Sequence, residues 1–159
     1  MFTLPLLALS LLSLTERRVD CAVYLLKDCP IANTYAPELK RIVKVYSAKG
    51  VRFRLVFEDP DVSVGQARKH AREYGFYVPV SIDKDREEAR RLDVSASPTV
   101  VVTKAGEVLY QGRIDNMYAS VGRRRPKPTS HDLRSALDAV LAGRAVREKR
   151  TEAIGCRLF

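Results

Sequence analysis

At 159 residues, with 46% hydrophobic and 30% charged positions, the chain has the size and balance of one globular domain able to bury a core without covalent staples. Three cysteines are too few for a disulfide scaffold, leave at least one thiol outside any intramolecular pair, and with two histidines show no zinc-ligand spacing. The net charge of +9 raises nucleic acid as a partner, but the one tight basic run, Arg123 to Arg125, borders prolines in a loop without interleaved aromatics; a solvated basic surface is the reading taken.

The apolar stretch Leu4 to Leu14 has the length of a signal-peptide core and is too short to span a bilayer. No Lys or Arg precedes it, and no small-x-small cleavage site follows before Glu16-Arg-Arg18. Residues 1–18 therefore stand either as a signal or as an apolar extension packed on the domain. Residues 21–27 read as a strand. Pro37 is expected to open a helix, since proline is tolerated at the first helical position, with Leu39, Ile42, Val43 and Tyr46 on one face and Gly50 at its end.

Val51 to Phe57 shifts from alternating to continuous apolar residues, as a buried parallel strand would. Glu58-Asp-Pro-Asp61 is a turn, Val64 to Tyr74 a helix ended by Gly75, Phe76 to Val80 a short extended piece, and Asp85 to Leu92 a short polar helix. Ser97 to Thr103 is a strong strand that turns at Lys104-Ala-Gly-Glu107 and returns antiparallel over Val108 to Gly112. A polar loop is expected from Asn116 to Pro128. A closing helix follows from His131 to Leu141, capped by Thr129 or Ser130 and ended by Gly143. This order implies an α/β domain over residues 19–143, with helices on both faces of a central sheet, followed by a basic tail over 144–159 carrying Cys156.

Cys29 falls where the first strand hands over to a helix. Unpaired backbone N–H groups and the positive end of the helix dipole favour thiolate there, lowering a thiol pKa from about 8.5 by up to several units in redox sites. Pro98 lacks a ladder donor and is expected only at the first residue of its strand. A cis bond before it would bend backbone toward a cysteine from an adjacent strand end.

These pieces carry a resemblance. Asp28-Cys-Pro-Ile-Ala-Asn33 with Tyr35-Ala-Pro-Glu38, Ser97-Pro98, Tyr110 to Asp115, Pro128 to Leu133 and Gly155-Cys156 resemble the thioredoxin fold. More narrowly they resemble bacterial redoxin-domain proteins related to the thiol-specific-antioxidant (alkyl hydroperoxide reductase) branch. The likeness implies a thioredoxin-like three-layer sandwich, a mixed sheet with a terminal β-hairpin. It also implies Cys29 as redox nucleophile and Pro98 as the cis-proline shaping its pocket. Pro30, Asn33, Tyr35, Ser97 and Arg113 are the further pocket candidates.

The departures are specific. Ala32 stands where a thioredoxin carries its second cysteine, so local dithiol exchange is impossible. Leu26 stands where a peroxiredoxin has its threonine, which weakens a peroxidase or antioxidant reading. Asn33 stands where the copper-delivery branch needs a cysteine. Cys156 is the candidate resolving thiol, condensing with an oxidised or mixed-disulfide Cys29, while Cys21 reads as a small buried hydrophobe. Arg113 either favours a Cys29 thiolate or forms a surface ion pair; Tyr35 lines the pocket or joins the core; His131 is a base or part of a cap; His70 reads as solvated.

The function expected is a thiol–disulfide oxidoreductase, a thiol-dependent redox protein acting on a protein or small-molecule thiol or disulfide. The rival is a catalytically inactive redoxin-fold module docking a redox or electron-transfer partner. No metal is implied, and no organic cofactor, since there is no Gly-rich phosphate loop. The compartment stays open between bacterial cytoplasm and periplasm, with export if residues 1–14 act as a signal.

Overall fold

The computed structural model describes residues 18–159, so the expectations for residues 1–17 lie outside the described residues. Strand β1 (Val19–Leu25) is central. It pairs in parallel with β2 (Val51–Phe57), which pairs in parallel with β3 (Val80–Ile82). On its other side β1 runs antiparallel to β5 (Thr99–Lys104), which turns into β6 (Glu107–Gly112). The five-stranded order is β3-β2-β1-β5-β6, a mixed sheet. The β5–β6 turn places Ala105 and Gly106 at positive φ of 51° and 79°, the backbone that a two-residue hairpin requires.

Alternation along the strands builds two cores. Cys21, Val23 and Leu25 face one side with Phe53, Leu55 and Phe57, and pack against α1 (Pro30–Ser47), α2 (Val64–Glu73) and α4 (Asp132–Leu141). Ala22, Tyr24, Val56 and Val101 face the other side, against α3 (Glu87–Leu92) and Leu158. Helices therefore cover both faces, and the layers number three. On the α3 side, Tyr24 donates its hydroxyl to Glu88 at 2.7 Å, and Arg54 pairs with the same carboxylate.

Strands β1 and β3 fall two to four residues from their expected bounds, and three elements depart further. Helix α1 opens at Pro30, not Pro37: Cys29 is its N-cap, and Pro37 lies inside the helix. Two prolines compete for the favoured first position, and burial of Ile31, Ala32, Tyr35 and Ala36 along with Leu39 and Ile42 extends the helix back through the second, forgoing one main-chain bond. The loop 116–128 contains a hairpin, β7 (Tyr118–Ser120) with β8 (Arg123–Arg124). Helix α4 has His131 at its N-cap position without a side-chain bond; Ser130 instead donates to Asp132 at 2.8 Å, and Thr129 accepts from Asn116 at 2.7 Å. Their oxygens are spent elsewhere, so neither caps the helix.

The segment after α4 is packed rather than free. It runs beside β6, where Gln111 N–H donates to the Lys149 carbonyl at 2.9 Å and Thr151 N–H to the Gln111 carbonyl at 3.0 Å. Gly112, at φ +152°, allows this approach, since a Cβ there would lie 2.3 Å from the Thr151 carbonyl oxygen. The chain then crosses to β4 (Ala96–Ser97), pairing with it as β9 (Cys156–Arg157), and Leu158 enters the second core.

Candidate functional site

The loop between β1 and α1 is held by bonds from three directions. Leu26 N–H donates to Ser97 Oγ at 2.8 Å, Lys27 N–H to Asp59 Oδ2 at 2.8 Å, and Asn33 Nδ2 to the Lys27 carbonyl at 3.1 Å. Cys29 N–H closes the turn onto the Leu26 carbonyl at 3.2 Å. So braced, Cys29 sits at the N-cap, and its Sγ accepts from Ala32 N–H at 3.4 Å. An unpaired N–H of the first helical turn, with the positive end of the helix dipole, stabilises negative charge on that sulfur.

Cys29 Sγ also lies 3.2 Å from the Ser97 carbonyl oxygen. Only a reduced thiol has a hydrogen to donate there. Cys29 and Cys156 are joined as a disulfide, their Cα atoms 6.0 Å apart. The three residues that meet here, Cys29, Ser97 and Cys156, come from three distant parts of the chain. Ser97 pairs with Cys156 across β4 and β9, and the peptide bond from Ser97 to Pro98 is cis. Cys29 is 2% exposed, and Ser97 is fully buried; Cys156 is only partly covered. A groove of about 600 Å³ is lined by Gly155, Arg157, Ala96, Val121, Arg150 and others, while Cys156 between them packs on the first core.

The remaining sequence candidates divide. Pro30 is the exposed first residue of α1. Asn33 braces the loop, and its Oδ1 meets His70 Nε2 at 3.1 Å. Because Asn33 Nδ2 is donated to Lys27, Oδ1 must accept, so Nε2 carries the histidine proton and Nδ1 is left as a buried acceptor without a partner. His70 is thus not simply solvated: its ring packs on Tyr74 and edge-on to Phe57, and burial holds its pKa below the ordinary value. The signal was its place on the same face of α2 as Ala67, Ala71 and Tyr74. Tyr35 is a core residue whose hydroxyl donates to buried Asp115 at 2.7 Å; burial, then that carboxylate, pushes its phenol up. Arg113 is engaged by Asp132 at 2.9 Å, the ion-pair alternative. Cys21 is a free, fully buried thiol, pushed up by burial and by neighbouring Asp20, which makes it inert.

Glu58, read as part of a turn, is a residue the sequence reading missed. It is fully buried with both carboxylate oxygens unpartnered, and burial followed by neighbouring Asp83 pushes it from 4.5 to about 8. Its position one residue past an apolar strand was the available clue. Among the described residues no group of three or more His, Cys, Asp or Glu could hold a metal ion, and no helix is long and apolar enough to cross a membrane.

Neither a protein-family model nor a curated protein matches the chain. Solved structures do. An uncharacterized conserved protein from Geobacillus kaustophilus aligns with a TM-score of 0.77 at 26% identity, covering 93% of this chain and 80% of that one. The thioredoxin domain of a thiol-disulfide oxidoreductase from Bacteroides vulgatus aligns at 0.52 and 14% identity, covering 63% and 73%. The chain has the thioredoxin fold. A secreted Mycobacterium tuberculosis disulfide oxidoreductase, described as homologous to E. coli DsbE, shares this thioredoxin fold at a TM-score of 0.54 and 17% identity, over 82% of this chain and 85% of that one. These likenesses carry the thioredoxin fold and no assignment to the antioxidant branch.

Proposed function

We propose that the chain is a thiol–disulfide oxidoreductase whose redox couple is Cys29 with Cys156. The observation that carries this reading is the joining of the two sulfurs at the N-cap of α1, against the Ser97 carbonyl. It supplies the second cysteine that Ala32 denies locally. In turnover, two substrate thiols become one disulfide while the Cys29–Cys156 bond is reduced to two thiols; two electrons and two protons pass to the protein. The reverse exchange reduces a substrate disulfide. The Ala32 N–H and the helix N-terminus stabilise the Cys29 sulfur as a thiolate and hence as a leaving group. That several oxidoreductases share the fold supports the reading without assigning a substrate.

A second reading, a docking module with a structural disulfide, is favoured by the 2% exposure of Cys29 and the bonds fixing residues 149–158. One titration decides. The full chain is equilibrated in glutathione buffers of graded potential, alkylated and weighed. The oxidoreductase reading expects both cysteines to be reduced together within the range of such buffers, the fold retained. A pair that stays oxidised throughout, opening only on unfolding, makes the disulfide structural and ends that reading.

A further inference from the structure

We infer that Cys156, not Cys29, is the sulfur that exchanges with substrate, and that Cys29 is the buried partner that leaves and returns. This rests on the redox couple proposed above and reverses the order that the Cys-Pro motif suggests. Thiol–disulfide exchange proceeds by attack of a thiolate on one sulfur of the pair, in line with the bond to the other. An attack on Cys29 Sγ must therefore arrive from the side opposite Cys156. That sulfur already touches the Ser97 carbonyl and the Ala32 N–H, both from buried residues, and Cys29 as a whole is 2% exposed. Gly155 closes the cover, its backbone lying directly on the Ser97 carbonyl.

Cys156 is the member of the pair with surface remaining: it packs on the first core but is only partly covered, in a two-residue edge strand beside exposed Arg157. Leaving-group chemistry points the same way. The sulfur that departs should be the one better stabilised as thiolate, and Cys29 has the helix N-terminus and the Ala32 N–H while Cys156 begins a two-residue strand. Reach and stabilisation thus select one direction.

A substrate thiolate attacks Cys156 Sγ; the new bond joins substrate sulfur to Cys156, the Cys29–Cys156 bond breaks, and its electron pair stays on Cys29 as thiolate. A second substrate thiolate attacks the first substrate's sulfur, forming the substrate disulfide and releasing Cys156 as thiolate, and the two protein thiolates take up the two protons lost by the substrate thiols. In reverse, the Cys156 thiolate attacks a substrate disulfide and Cys29 then resolves the mixed disulfide by attacking Cys156.

The test uses the oxidised full chain without mutation. It is exposed briefly to limiting reduced glutathione, quenched in acid, alkylated, digested and mapped by mass. The expected result is glutathione on Cys156 and alkylation on Cys29, with roughly a tenfold excess over the opposite adduct. Glutathione predominantly on Cys29 overturns the inference and leaves the redox couple standing. If the native disulfide does not open at all, the inference and the oxidoreductase reading fall together.

Discussion

A Cβ built on Gly155 would lie 1.8 Å from the carbonyl oxygen of Ser97, so the chain entering β9 crosses the end of β4 at a separation that only glycine permits. Gly155→Ala must push the two backbones apart, and with them the Ser97–Cys156 pairing. The expected cost is about 1–3 kcal/mol in urea denaturation of the oxidised protein. The variant should also shift toward the dithiol in a glutathione buffer. An unchanged midpoint and unchanged dithiol fraction would refute the close crossing of these backbones.

Ser97→Ala separates the side chain from the main chain at the same position. The Leu26 N–H loses its acceptor beside a buried site, which costs about 1–3 kcal/mol when no water replaces it. The carbonyl next to Cys29 stays in place. Stability should fall, and hydrogen exchange at Leu26 should accelerate. Exchange at Leu26 as slow as in the parent would refute the role given to Ser97 Oγ.

Glu58 sets a pH dependence of known sign. Its pKa is raised in the folded state from 4.5 to about 8, by burial and then by Asp83. Between these values the unfolded chain has released the proton that the folded chain keeps. Stability from this group is thus fully present below about 4.5 and is lost as pH rises through about 8. Glu58→Gln keeps the shape and cannot ionise. Denaturation midpoints measured from pH 5 to pH 8 should fall less steeply for this variant than for the parent, and parallel slopes would refute the assignment.

Reduction should destabilise the fold. The Cys29–Cys156 bond closes a loop across a sequence separation of 127 residues. Constraining a loop of that size in the unfolded chain is worth about 5 kcal/mol in the entropy treatment, and measured bridges commonly deliver about 2–4 kcal/mol. Denaturation with and without a phosphine reductant should show a loss in this range. No loss would mean that the reduced, unfolded chain keeps compensating structure.

Where the sequence was legible, the chemistry was local. The β1 apolar run, the Gly75 that ends α2 and the Ala105-Gly106 hairpin turn each announce themselves within a few residues. The position of Cys29 at a helix start followed from the same logic, although Pro37 drew the boundary seven residues late. The rest depended on partners far along the chain. Nothing near β1 says that its neighbour β5 runs antiparallel, and nothing near Arg113 says that Asp132 will hold it. Glu58 reads as an ordinary turn carboxylate until α3 closes over that face. The path of residues 149–158 depends on Gly112 and Gln111 admitting a second backbone beside an edge strand, which no periodicity reports.

The span enclosed by the bond between residues 29 and 156 has a mechanical meaning. Oxidised, residues 29–156 form a covalent ring that holds nearly all of the described chain. Pulled from outside that ring, the chain cannot pay out the roughly 420 Å that 127 residues extend to. An unfolding machine or a narrow pore must then admit two strands abreast, where the dithiol passes in single file. The oxidation state of one sulfur pair therefore sets how the molecule can be threaded as well as what it can exchange.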